Sequence, residues 1–504
     1  MLNKNQEKLI NKFLKDFAKD PNFKFVDKLL KTHKQAEIYL VGGKVRDILL
    51  QRPSYDYDFV IRNVKAKDLE KFFKKQGQVD LVGKSFGVFK FKPKKYNLTE
   101  QIDIALPRTE HSFNTGGYRD FDIQANPDLP ISNDLERRDF TINALALNLN
   151  TGELIDSFNG VEDLNNKLIK TVGQPPERFK EDYTRMLRAV RFSVQLYFKI
   201  EPQTYKTIQK MASKIKTIPA ERINEEFTKI IMSDNAEFGM ELLYKSDLLK
   251  QFLPELVEGV GISQNRSHIY TVFTHAVKAL GFAAKRDYSL SVRLAALFHD
   301  IAKPLVKKGE GYDSTFYNHD IIGAKITRKI LKRLKYSNEV IDKVSHLVRH
   351  HMFFYSQGDV SDAGIRRLLA RLGKENINEA LQLRICDRLG MGRPKAKPYK
   401  LIELEKRLQE AQLDPISVKM LKINGQEIMD LLEIKPGPRI GLLLNALLAE
   451  VLKNPKLNNK KYLKKRVEQL NKLSDKKLKE LAPNLEKYEA ERKREYFSKF
   501  KAVE

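Results

Sequence analysis

The stretch Tyr39-Leu-Val-Gly-Gly-Lys-Val-Arg-Asp-Ile-Leu-Leu-Gln-Arg-Pro-Ser-Tyr-Asp-Tyr-Asp-Phe-Val-Ile61 reads as strand, glycine turn, helix, turn, strand. Glu37–Val41 is a short apolar run that stops at Gly42-Gly43, where backbone N–H groups can approach a phosphate closely. Lys44–Leu50 has helical composition, and Pro53-Ser54 breaks it. The chain re-emerges as a strand from Asp56 to Ile61. Residues two apart on a strand share a face, so Asp56 and Asp58 are expected to point the same way. Paired carboxylates repel unless a cation sits between them. Hard oxygen ligands of this kind suit Mg²⁺, which takes its remaining ligands from water and substrate phosphates.

Taken with Gly42-Gly43-Lys44-Val45-Arg46-Asp47, this segment resembles the catalytic signature of the nucleotidyltransferase superfamily. The branch is the one that holds bacterial tRNA CCA-adding enzymes and poly(A) polymerases. The resemblance implies that Asp56 and Asp58 carry catalytic metals, and that Gly42, Gly43 and Arg46 hold the incoming triphosphate.

With 504 residues the chain is too long for one core, and its formal net charge of +27 points to a polyanionic partner, nucleic acid first. No lipidation signal or long uncharged apolar run supports a membrane surface instead. Cys386 is the only cysteine, which excludes an internal disulfide and a thiolate zinc site. The expected compartment is the cytoplasm.

Downstream, Val64–Gln76 is expected to be an amphipathic helix with Leu69, Phe72 and Phe73 on one side. Val79–Val82, Gly87–Lys92 and Gln101–Leu106 read as strands, giving a small mixed sheet with helices on one side. Asp103 either completes a carboxylate cluster with Asp56 and Asp58 or is an ordinary polar position on a half-buried strand. Pro107–Pro130 is polar and glycine-bearing, and reads as a long loop. In the CCA-adding family, a flexible element at this place helps the switch from CTP to ATP. Next, Asp134-Leu-Glu-Arg-Arg-Asp-Phe-Thr-Ile-Asn-Ala-Leu-Ala146 has a basic pair before an apolar, helix-like run. It resembles the family's second signature, which implies nucleotide contact by Arg138 and a structuring role for Asp139.

Arg178-Phe-Lys-Glu-Asp-Tyr-Thr-Arg-Met-Leu-Arg-Ala-Val-Arg-Phe192 reads as one helix, on which Asp182 and Arg185 would be neighbours. A carboxylate only accepts hydrogen bonds and a guanidinium only donates them. Cytosine and adenine each offer an amino donor beside a ring-nitrogen acceptor, so both match an adjacent Asp and Arg. Uracil and guanine set a carbonyl where that donor belongs. The segment resembles the Glu-Asp-x-x-Arg motif of class II CCA-adding enzymes, implying base selection by Asp182 and Arg185. Arg188 and Arg191 would support the base or bind the triphosphate. Pro219–Ile231 looks like the family's next motif, with Glu221 and Arg222 in structural roles.

Of the nine histidines, seven lie between His268 and His351. Arg293–Pro304 carries the adjacent pair His299-Asp300, with His275 before it and His319, His346, His350 and Asp387 after it. Imidazoles and carboxylates converging from several helices are ligands for a divalent transition metal or Mg²⁺. The order resembles an HD domain, which implies a metal centre at His275, His299, Asp300, His319, His350 and Asp387. Only one of His350-His351 can point inward, and His346 and His351 are expected to orient neighbours or face solvent.

Leu421–Gly441 resembles the tail motif of the same tRNA-processing branch, and the lysines recurring from Lys456 onward suit an RNA backbone. The expected organisation is an N-terminal helical lead-in over 1–35 and an α/β nucleotidyltransferase head over 36–165. A helical neck over 166–255, an HD domain over 256–400 and a basic helical region over 401–504 follow. The resemblance implies an enzyme that adds CCA to the tRNA 3′ end from CTP and ATP, with a second activity, phosphohydrolysis, open to the HD domain. Three alternatives stay open: a poly(A) polymerase, a CC-only or A-only enzyme, and an HD phosphohydrolase with a non-catalytic RNA-binding head. Gly83–Gly87 argues mildly for the CCA-adding side.

Overall fold

The computed structural model describes residues 2–82, 88–94, 101–112, 121–265, 268–353, 360–392, 399–411 and 417–481. The chain divides into two compact units between Pro254 and Glu255. Among the described residues, no helix is long and apolar enough to cross a membrane.

The first unit opens with helices Lys4–Lys19 and Lys24–Thr32. Asn3 and Gln6 form a reciprocal capping box that satisfies the first orphan N–H groups. A seven-stranded mixed sheet follows. Its strands are β1 (Glu37–Val41), β2 (Asp58–Arg62), β3 (Gly77–Val82), β4 (Val88–Pro93) and β5 (Ile102–Ala105), and the later β8 (Ala146–Asn148) and β9 (Leu154–Ile155) complete it. The intervening β6 (Arg108–Ser112) and β7 (Phe121–Ala125) pair with each other as a separate antiparallel ribbon. The expected loop over 107–130 is therefore a hairpin at its base, while 113–120 lie outside the described residues, as does the Gly83–Gly87 segment.

Sheet order is β3-β4-β5-β2-β1-β8-β9, and the β2–β5 pair is parallel. The central strand β1 is buried on both faces, which explains four consecutive apolar residues in place of alternation. On one face Phe59 and Phe91 pack against Phe17, Phe23 and Phe25 from the N-terminal helices. Tyr39, Val41 and Val60 on the other face meet Ile131, Leu135, Ala144, Ala146 and Val172. The expectation of cover on one side is thus corrected, because the segment after Pro130 closes the second face. That same segment departs from the helix expected after Arg137-Arg138. The short helix Ile131–Glu136 precedes the basic pair, and a 3₁₀ turn at Thr141–Asn143 leads into β8.

Beyond the head, helices Pro175–Glu181, Thr184–Leu196, Ala220–Ile231 and Ala236–Lys245 build the neck. A Cβ on Gly239 would lie 2.7 Å from Ile230 Cγ2 and 3.1 Å from Val194 Cγ2, so glycine lets three helices approach closely.

In the second unit, helices Val272–Ala284, Leu290–Phe298, His319–Arg333, Asn338–His350 and Ile377–Gly390 form the histidine-bearing domain. Helices Asp362–Leu372, Tyr399–Ala411, Gly425–Leu432, Pro438–Lys453 and Lys460–Asn471 follow. Arg366 is buried and donates to the Leu452 and Lys453 carbonyls at 2.8 and 3.2 Å, capping the C-terminus of Pro438–Lys453.

Candidate active site and metal centre

The strand expected from Asp56 begins at Asp58, with Asp56 in the approach to it. Asp58 and Asp103 are direct register partners on β2 and β5, and the Asp103 N–H donates to the Tyr57 carbonyl at 3.1 Å. Lys90, across on β4, reaches Asp103 at 3.5 Å. Burial pushes the Asp58 carboxyl up to about 6, Asp56 adds to the push, and Arg138 pulls the other way. A carboxyl that feels the charges of Asp56 and Asp103 and resists ionisation, beside a second carboxylate on the neighbouring strand, suits a divalent cation with oxygen ligands.

Above these carboxylates lies the glycine turn. Gly42 holds φ +71°, a backbone that strains any other side chain, and a Cβ there would sit 2.5 Å from Arg138 Nη1, so the guanidinium would have to shift. Its N–H donates to the Leu145 carbonyl at 3.1 Å. Gly42 thus shapes the turn, and Gly43 opens the helix Gly43–Leu49. From that helix Arg46 donates through Nη1 to Asn143 Oδ1 at 2.7 Å and through Nε to Asp47 at 2.9 Å.

Asp134 is fully buried and accepts from Arg137 at 2.6 Å and Arg138 at 3.2 Å. Burial opposes its charge, but the two guanidiniums outweigh it and hold the carboxyl below its ordinary range. Asp139 accepts from Asn143 Nδ2 at 3.2 Å and from Arg188 Nε at 2.7 Å. Arg191 pairs with Glu226 at 2.8 Å, and Arg188 lies 3.7 Å from the same carboxylate. A continuous polar chain therefore runs from Arg46 through Asn143, Asp139, Arg188 and Glu226 to Arg191. The guanidiniums of Arg46, Arg188 and Arg191 all lie over the Phe192 ring, at 5.4, 5.4 and 4.2 Å from its centroid.

Asp182 and Arg185 do not share one helix. The chain breaks at Asp182, whose φ of −152° and ψ of 105° are extended, and the next helix begins at Thr184. The Thr184 N–H donates to Asp182 Oδ1 at 2.9 Å, an Asx-type contact that competes with helix continuation. Nor do the two side chains pair with each other. Arg222 takes Asp182 in a bidentate grip with both bonds at 2.9 Å, while Arg185 pairs with Glu181 and donates to the Arg178 and Arg137 carbonyls.

In the second unit His275, His299, Asp300, His319 and Asp387 converge in a buried cluster, and His351 joins them in place of the expected His350. Helix Asn338–His350 ends just before His351, which keeps helical backbone angles (φ −65°, ψ −27°) and whose ring is buried. His350 meets His346 edge-on instead, with ring centroids 4.6 Å apart, and His346 Nε2 bonds the Leu372 carbonyl at 2.8 Å. Three overlapping ligand sets are visible among the described residues: His275, His299 and Asp387; His319, His351 and Asp300; and His268, His275 and Asp300. Asp300 links them, with Oδ2 3.3 Å from His275 and His299 and Oδ1 3.5 Å from His319.

His299, His319 and His351 each turn Nδ1 to a backbone carbonyl, at 2.9, 2.6 and 2.7 Å. That contact leaves Nε2 facing inward, the arrangement of metal-ligating histidines. Burial opposes charge on His299, but Asp300 and Asp387 outweigh it and push the imidazole up to about 10. Burial, then His299 and His319, press His351 down to about 3. Burial thus presses His319 and His351 toward neutrality while the carboxylates favour positive charge at His299, and a donor set that attracts positive charge fits a divalent metal.

Four residues beside these sites were not singled out for them from sequence. His268 approaches His275 and Asp300, and Lys303 reaches Asp300 at 2.6 Å. Lys303 was visible as the residue one helical turn after Asp300, whereas His268 precedes its helix and follows no periodicity. Asn143 and Glu226 carry no local signal for these roles, because the arginines they bind, Arg46 and Arg191, come from distant segments.

Comparison with known proteins places these features in order. The Poly A polymerase head domain family matches residues 38–170. The probable RNA and SrmB-binding site of polymerase A matches 197–259, and the HD domain matches 272–392. The A-adding tRNA nucleotidyltransferase of Deinococcus radiodurans is 34% identical over 424 residues, covering 81% of this chain and 90% of that protein. The Multifunctional CCA protein of Nitrosospira multiformis is 30% identical over 381 residues, covering 74% and 87%. Among solved structures, the Bacillus stearothermophilus CCA-adding enzyme in complex with CTP superposes with a TM-score of 0.66 at 22% identity, covering 90% of this chain and 98% of that one. The Thermotoga maritima CCA-adding enzyme complexed with tRNA gives 0.55 at 22% identity, covering 92% and 98%. At these identities the likeness to the solved structures is one of fold.

Proposed function

The chain belongs to the tRNA nucleotidyltransferase and poly(A) polymerase family, and within it we propose an enzyme that adds C, C and A to the tRNA 3′ end. It takes CTP and ATP and releases pyrophosphate at each step. The observation that carries this reading is the pairing of Asp58 with Asp103, two residues on from Asp56 and beside the Gly42–Gly43 turn. When bound, Mg²⁺ at these carboxylates supplies activation of the 3′-hydroxyl and neutralises charge on the α-phosphate and leaving group.

The remaining roles fall to side chains of this chain. Gly43, Arg46 and Arg138 bind and orient the triphosphate, and Asp139 holds Arg188 and Asn143 in place behind them. Asp182 accepts the exocyclic amino group of cytosine or adenine, and Arg185 donates to the ring nitrogen. Arg188 and Arg191 support the base stack from Phe192. In the second unit, the exposed Lys460, Lys461, Lys464 and Lys465 on helix Lys460–Asn471 present charge suited to an RNA backbone. The His275–Asp387 cluster serves as a metal-dependent phosphohydrolase centre for phosphate esters at RNA ends. A cytoplasmic setting accords with such substrates.

One observation favours a narrower second reading. The Deinococcus radiodurans relative is A-adding, so this chain could add the terminal A alone. Incubating tRNA that lacks its whole 3′ CCA with CTP alone, ATP alone and both separates the readings. The proposal predicts growth by two residues with CTP and by three with both. No incorporation of C, with extension only of tRNA already ending in CC, establishes the A-adding reading instead.

A further inference from the structure

Arg222 lies on the neck helix Ala220–Ile231, away from the segment that carries Asp182, yet it is the residue that fixes Asp182 in place. Nη1 donates to Oδ1 and Nη2 to Oδ2, both at 2.9 Å. The Thr184 N–H donates to the same Oδ1 at 2.9 Å. A carboxylate offers about four lone-pair sites, two on each oxygen. Oδ1 has both of its sites filled and Oδ2 has one filled. A single acceptor remains, on Oδ2. The fork–fork geometry holds the carboxylate plane as well as its position.

We infer that Arg222 is a specificity-determining positioning residue for base selection: it leaves Asp182 one acceptor on a fixed bearing. An amino N–H satisfies that acceptor, while a carbonyl oxygen meets repulsion. Repulsion discriminates only if the carboxylate cannot turn away. An unclamped Asp182 would rotate from the carbonyl of uracil or guanine and lose the penalty, whereas the clamped one retains it. Lysine cannot replace this grip, because an ammonium is a point donor without a planar fork.

The inference rests on the reading of Asp182 and Arg185 as base-contacting residues, and the experiment separates the two. The full chain is prepared as Arg222→Lys, Arg222→Gln and Asp182→Ala, with folding checked by thermal melting. The kcat/KM ratios for CTP over UTP and ATP over GTP are then measured on tRNA primers, beside the tRNA dissociation constant. Arg222→Lys and Arg222→Gln should each lower both ratios by about tenfold or more, since a site built on hydrogen bonds rejects wrong ligands strongly only while its polar groups stay placed. Binding of tRNA should hold. A merely structural role would slow all four nucleotides alike and leave the ratios unchanged. Unchanged ratios in both Arg222 variants, with relaxed ratios in Asp182→Ala, overturn the inference alone. Unchanged ratios in Asp182→Ala overturn the base-contacting reading and this inference with it. If Arg222→Gln fails to fold, Arg222→Lys, which keeps the charge, carries the test.

Discussion

Asp58 and Asp103 stand opposite each other as register partners on adjacent parallel strands, so two carboxylates distant in sequence share one sheet position. Like charges placed this way cost stability and are retained where a cation uses them. Asp56→Ala, Asp58→Ala and Asp103→Asn should therefore each lower kcat for nucleotide addition by at least about 10²-fold, the scale of losing one preorganised electrostatic group. Asp103→Asn should at the same time leave the metal-free protein as stable as the wild type or more so. Single-turnover assays and thermal melts check both outcomes. Near-wild-type addition by Asp103→Asn would assign Asp103 to the sheet alone.

The same site sets a pH dependence. Burial, reinforced by Asp56, pushes the Asp58 carboxyl from 3.8 up to about 6. A carboxyl whose folded pKa lies above its unfolded one favours the fold while protonated, and that contribution is lost as pH rises through about 6. A bound divalent cation reverses the sign by favouring the ionised form. Added Mg²⁺ should consequently raise the melting temperature more at about pH 7.5 than at about pH 5. An equal rise at both, or none in wild type and Asp58→Ala alike, counts against metal binding there.

Gly42 offers a steric test. Its φ of +71° strains any side chain, and an Arg138 guanidinium only 2.5 Å from where a Cβ would sit must move to admit alanine. Gly42→Ala should lose about 1 kcal/mol or more of stability from the backbone alone. It should also raise KM for both nucleotides by displacing Arg138. A change in stability without a change in KM would separate Arg138 from the triphosphate.

Much of this arrangement is legible in the sequence because its signals are local. Gly42-Gly43, the alternation around Asp58 and the His299-Asp300 pair each lie within one turn or one strand. The structure places a glycine turn, a strand at Asp58 and a helix ending at the His-Asp pair, with Asp56 in the approach to the strand and not on it. What was not legible depends on side-chain competition or on distant partners. The helix through Asp182 breaks because Asp182 prefers the Thr184 N–H and the Arg222 fork to a helical backbone. The choice between His350 and His351 depends on which of two adjacent residues on one helical turn faces the cluster, which an adjacent pair does not reveal in sequence. Residues 107–130 read as loop because the stretch is polar and glycine-bearing overall, and the short β6 and β7 pair with each other as a separate ribbon outside the main sheet.

The histidine centre yields a prediction that turns on that last residue pair. His351→Ala should lose bound transition metal, whereas His350→Ala should keep it, as read by elemental analysis of the purified chain. A His299→Ala/Asp300→Ala double variant should lose metal and any phosphoesterase activity yet still add nucleotides, since sites without shared ligands behave additively. Metal lost from His350→Ala and kept by His351→Ala would reverse the assignment.

The most direct measurement is the sequence of the tRNA 3′ end after incubation of a transcript lacking CCA with all four nucleoside triphosphates and Mg²⁺. The account predicts that the wild-type protein adds C, C and A in that order and then stops, with U and G absent from the added residues. A homopolymeric A tail, or addition of U and G at rates comparable to C and A, would contradict it.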